Sequence, residues 1–123
     1  MITIDEYGDL LEKLSEELPE ELFDGLNLGV TISEELKIAP ESRNDDLYIM
    51  GEYYYSNPMG RGIVMYYTPF AERYGELPEE KLMAKLREIY RHELRHHVEL
   101  LAGDFELKEE DEEKIQEYKD REI

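Results

Sequence analysis

The chain has 123 residues, with 14 basic against 32 acidic side chains for a formal net charge of −18, and it contains no cysteine. Disulfides, thiolate metal sites and a cysteine nucleophile are thereby excluded. A surface this acidic is repelled by phosphate backbones and anionic membranes, so neither nucleic acid nor membrane is expected as a partner.

The length suits one domain, 1–123, able to bury a modest core. The opening MITIDEYGDLLEKL lacks the basic start and apolar run of a secretory signal, and no run approaches the ~18 apolar residues of a membrane helix. A cytoplasmic location is the expectation.

In chain order, TIDEYGDLLEKLSEEL (3–18) predicts an amphipathic helix. Thr3 and Glu6 have capping-box spacing, and Leu10, Leu11, Leu14 and Leu18 recur on one face. Pro19 ends that helix or restarts it as a short turn, PEELFDGL. NLGVTIS (27–33) alternates as a strand does, and EELKIAPESRNDD reads as a loop. LYIMGEYYYS (47–56) and GIVMYYTPF (62–70) predict two strands joined through NPMGR, whose Pro58 and Gly60 suit a hairpin. Pro69 is expected to end or bulge the second strand. From Pro78 to Ala102 runs the strongest helical pattern, with Gly103 suited to the position after it. KEEDEEKIQEYKDREI predicts a short final helix packing Ile115 and Tyr118.

The long helix carries all three histidines of the chain, in RHELRHHVEL. Leu82, Leu86, Ile89 and Leu100 fall within about 60° on the helical wheel, with Glu93 in the middle of that stripe, His96 on its edge and His92 a little further round. Histidines at i and i+4 stack one turn apart and can share one Zn²⁺ at about 2.0–2.1 Å. Glu93, one residue after the first, points beside such a metal. There it can take the proton of a water whose pKa zinc lowers, and pass it to a leaving amine. This is the content of H-E-x-x-H on a helix. The bland alternative is a polar face laced by Arg91, Arg95, Glu88 and Glu99. His97 lies about 100° beyond His96 and is read as packing or supporting the ligands, not sharing the metal.

A catalytic zinc usually has three protein ligands. With neither cysteine nor a fourth histidine, the third is expected to be a carboxylate or, at a stretch, a tyrosine. The candidates are Glu99 on the same flank, Asp104 just after Gly103, and Asp111 in the acidic tail. The longer H-E-x-x-H-x-x-G-x-x-H motif is absent, because Glu99 and Ala102 occupy its glycine and last histidine positions.

HELRHH with the following VELLAG, and MGEYYYSNPMGRGIVMYYTPF upstream, resemble the small zincin-like metallopeptidase family of bacteria. The chain departs from many members in YYTPF, where they have glycine and serine before the phenylalanine. The resemblance implies an α+β minimal zincin-like domain, a short mixed or antiparallel sheet packed on the H-E-x-x-H helix. It also implies Zn²⁺ held by His92 and His96 with Glu93 as general base, and an aspartate ligand that matches best at Asp111, across extra intervening residues. By analogy with zincins, a peptide or protein substrate would lie along GIVMYYTPF, with Tyr66 or Tyr67 helping an oxyanion. The expected function is zinc-dependent peptide hydrolysis. The alternative is a metal-binding or acidic interaction domain of the same fold without turnover. The sequence does not decide the oligomeric state.

Overall fold

The computed structural model describes residues 1–38, 48–56 and 59–102. Helix α1 (Ile4–Glu16) starts at the expected box: the Glu6 amide donates to Thr3 Oγ1 at 3.1 Å, and the Thr3 amide donates to Glu6 Oε1 at 3.2 Å. Its leucine face buries Leu10, Leu11 and Leu14 together with Tyr7. A 3-10 turn (Glu20–Phe23) follows Pro19 and leads into β1 (Gly29–Ser33). Next come β2 (Gly51–Ser56), β3 (Gly60–Tyr66), α2 (Tyr67–Tyr74) and α3 (Glu79–Leu101).

The three strands form a mixed sheet in the order β1-β3-β2, with β1 parallel and β2 antiparallel to β3. The fold is therefore α+β with a small mixed sheet. Gly60, at φ +121°, opens β3 where the hairpin was expected, and Asn27 secures that turn: its Nδ2 donates to the Met59 carbonyl and its Oδ1 accepts from the Arg61 amide.

Strand alternation sorts side chains to two faces. Gly51 opposite Met65, and Tyr53 opposite Ile63, face the helices. Ile32 lies on that same face in register with Met65, and its Cδ1 is 3.5 Å from where a Cβ on Gly8 of α1 would sit. Both α1 and α3 thus cover this face. The core between the layers holds Tyr7, Leu14, Ile63, Met65, Phe70, Leu86, Tyr90 and Leu94. No helix among the described residues is long and apolar enough to cross a membrane.

Two expectations are corrected. The second hairpin strand ends at Tyr66, and YTPF is the first turn of α2. Pro69 fits there because its fixed φ suits a helix start, where its missing N–H goes unused. The buried side of α3 is also rotated from the expected stripe: it comprises Leu82, Leu86, Tyr90, Glu93, Leu94 and His97, while Ile89 and Leu100 are half-buried. Packing against α1 as well as the sheet turns the helix towards Tyr90. The predicted final helix, with Ile115 and Tyr118, lies outside the described residues.

Candidate metal centre

Helix α3 presents His92, Glu93 and His96 together, with one ligand atom from each lying within 4.8 Å of the others. The two imidazoles stack edge-on with centroids 4.8 Å apart, as i and i+4 positions require. Both are half-buried, on the flank of α3 that continues from Ile89, whereas Glu93 turns inward and is 8% exposed.

Glu93 can sink so far because β2 passes beneath it as glycine. A Cβ on Gly51 would come within 3.2 Å of Glu93 Cγ, 3.1 Å of Ile89 Cγ2 and 3.2 Å of Met65 Sδ. Gly51 stood in the hairpin stretch MGEYYYS without an assigned role, although an isolated glycine inside a strand pattern is the signal of such a close approach.

His97 adjoins the pair but belongs to the core. It is 0% exposed; its Nδ1 lies 2.8 Å from the Tyr53 hydroxyl and its Nε2 2.7 Å from the Asp24 carbonyl oxygen. A carbonyl can only accept, so Nε2 carries a proton, and in the neutral ring Nδ1 then accepts from Tyr53. Both ring nitrogens are engaged, which leaves none for a metal. His97 ties α3 to β2 and to the residue after the 3-10 turn. The expectation of a packing role fits this geometry; Tyr53 stood in the same hairpin stretch without an assigned role, and the Asp24 carbonyl carried no sequence signal.

Of the carboxylates considered as third ligand, Asp111 and Asp104 lie outside the described residues. Glu99 is not gathered with the histidines; it pairs with Arg95 at 3.5 Å. The tyrosines expected near an oxyanion are committed elsewhere. Tyr66 donates to Glu52 Oε1 at 2.9 Å on the sheet face away from Glu93, and Tyr67 donates to the Ile2 carbonyl at 2.6 Å. Nor is GIVMYYTPF a substrate-side edge, because β3 is the central strand, paired on both sides. The edge strand beside α3 is β2.

The donor set fits a divalent metal. Imidazole nitrogen with carboxylate oxygen suits zinc and also iron, nickel or copper, but not the all-oxygen preference of calcium or magnesium. Fold and site together define a small α+β domain with an H-E-x-x-H helix laid across the edge strand of a three-stranded sheet. No family model matches the chain, and neither does any curated protein. Among solved structures it is similar to a conserved hypothetical protein from Thermus thermophilus, with 36% identity and a TM-score of 0.69 over 82% of this chain and 98% of that one. The chain belongs to the same family as that protein.

Proposed function

We propose that the protein is a zinc-dependent peptidase of minimal zincin-like build. The observation that carries this reading is the gathering of His92, Glu93 and His96 within 4.8 Å on one helix, with Glu93 set inward against Gly51. His92 and His96 would hold the metal, with a carboxylate from beyond α3, Asp111 being the candidate, as third ligand. Bound zinc would supply Lewis acidity towards the water and the scissile carbonyl. Glu93 would take the proton of the attacking water and deliver it to the leaving amine. An extended peptide would pair with the outer edge of β2, which has no strand neighbour among the described residues.

The test joins metal content to turnover. Protein purified without added metal is expected to carry about one equivalent of zinc, lost in His92→Ala and His96→Ala but kept in Glu93→Gln. Cleavage of a peptide library, read by mass spectrometry, should vanish in the two histidine variants and fall about a hundredfold or more in Glu93→Gln. Wild-type cleavage by Glu93→Gln would refute the assignment of the base. A wild-type protein that binds zinc but cuts nothing would leave a metal-binding domain without turnover.

A further inference from the structure

On the side of α3 away from His92, the C-terminal half of α1, the 3-10 turn and the start of β1 enclose a groove of about 650 Å³. Its floor is apolar, made by Leu18, Phe23, Leu26 and Val30 with the ring of Tyr90. Its rim carries Glu12, Glu16 and Glu20. Among the described residues no ion pair engages these three carboxylates, whereas Glu17 between them is taken by Arg87 at 2.8 Å.

The hydrogen-bonding chemistry of the floor has a direction. Ser15 donates its only hydroxyl proton to the Leu11 carbonyl at 3.0 Å. The Tyr90 hydroxyl, 2.7 Å from Ser15 Oγ, must then be the donor of that pair, which leaves the lone pairs of its own oxygen to accept. Burial pushes the Tyr90 phenol up, so it keeps its proton near neutral pH. The groove offers carboxylate acceptors along its rim and an apolar surface beneath them.

We infer that this groove docks a basic amphipathic segment of a protein partner, an apolar side chain seated on Leu18, Phe23 and Val30 with flanking lysine or arginine answered by Glu12, Glu16 and Glu20. A segment of this kind matches both the apolar floor and the negative rim, which a simple cation or an apolar ligand would not. The site is independent of the metal centre, since Tyr90 and His92 lie on opposite flanks of α3.

Fluorescence anisotropy with a short labelled peptide of alternating lysine and leucine tests this. The triple variant Glu12→Gln, Glu16→Gln, Glu20→Gln is expected to weaken binding about tenfold or more. The equally charged control Glu35→Gln, Glu72→Gln, Glu80→Gln, on exposed positions elsewhere, should weaken it about twofold or less. Melting curves of both triples establish that each is folded. A lysine–glycine peptide of the same charge should bind about tenfold more weakly, because it lacks the apolar anchor. Amide shifts on adding the leucine peptide should centre on residues 12–30. Equal loss in the two triples would overturn the proposal, as would equal binding by the glycine peptide or by spermine, or shifts centred on 89–96.

Discussion

Gly51 and Glu52 are neighbours on β2 that look to opposite sides of the sheet, and each side holds a carboxylate with a different environment. On the outer side, Glu52 accepts from Lys37 Nζ at 3.0 and 3.1 Å and from the Tyr66 hydroxyl at 2.9 Å. Its charge is answered in place, and both members of the ion pair are about a third exposed. On the inner side, Glu93 is buried over Gly51, with the imidazoles of His92 and His96 as its close neighbours. A carboxylate with a resident cation and a phenol serves structure. One set inward beside two imidazoles at i and i+4 is the general base of the proposed metal site. The difference lies in what each helix or loop supplies opposite the strand, because α3 brings imidazole where the segment before β2 brings ammonium.

The sharpest way to break this comparison is to neutralise each carboxylate. Glu93→Gln is expected to lower kcat by about 10²–10⁴ with metal content intact, because the proton acceptor is lost while the imidazoles stay. Glu52→Gln should leave the rate unchanged and lower the melting temperature instead. If Glu52→Gln abolished turnover, the outer face would belong to the site and the comparison would fail.

Adjacent histidines give the next largest contrast. His97→Ala removes a fully buried ring and leaves the Tyr53 hydroxyl and the Asp24 carbonyl without their partner, at a cost of about 3 kcal/mol in unfolding free energy. His96→Ala, half-buried, should cost the metal-free protein far less, yet abolish metal uptake. Chemical denaturation of metal-free protein, paired with zinc titration, checks both. Loss of zinc binding in folded His97→Ala would assign that ring to the metal centre.

Much of this was legible because local rules and tertiary packing agree. The Thr3–Glu6 box, the leucine face of α1, and the i, i+4 histidines each depend on spacing within a few residues, and spacing is what a sequence displays. The misreadings arose where distant parts decide. GIVMYYTPF is apolar and aromatic throughout, so nothing local marks Tyr66 as the last strand residue; α2 begins there because Phe70 and Ala71 find the core. The buried side of α3 turned towards Tyr90 because α1 offers Ser15, which hydrogen-bonds the Tyr90 hydroxyl across 75 positions. Gly51 beneath Glu93, and the Asp24 carbonyl against His97, are contacts of the same long-range kind.

Gly51→Ala sharpens the comparison at its pivot. The new methyl would meet Ile89, Glu93 and Met65 at 3.1–3.2 Å, so α3 must yield by a few tenths of an ångström. A stability loss of about 1–2 kcal/mol is expected from overpacking. The rate should fall about tenfold as Glu93 is displaced, because reacting groups tolerate little misplacement. An alanine there that changed neither stability nor rate would show that the close approach of β2 is not what sets Glu93.

The smallest effect concerns a third carboxylate, Glu17, which is answered by arginine on the exposed side of the α1–α3 contact. Arg87 donates to it through Nη2 at 2.8 Å and Nε at 3.1 Å, with Arg91 at 3.8 Å. The hydrogen bond from Arg87 holds the Glu17 carboxyl below its ordinary range, with the positive charges of Arg87 and Arg91 acting in the same direction. Because the folded pKa lies below the unfolded one, the stabilisation is complete above the ordinary carboxylate pKa of about 4 and is lost as pH falls through the lowered folded value. Glu17→Gln should therefore melt below wild type at neutral pH, and the gap should close as pH falls below the ordinary carboxylate range. Added salt should narrow the gap at neutral pH, since solvent and counterions screen an exposed pair. A gap at Glu17 that stayed constant across pH and salt would mean that the side chain contributes by packing, and that the arginines of α3 are not its reason for being there.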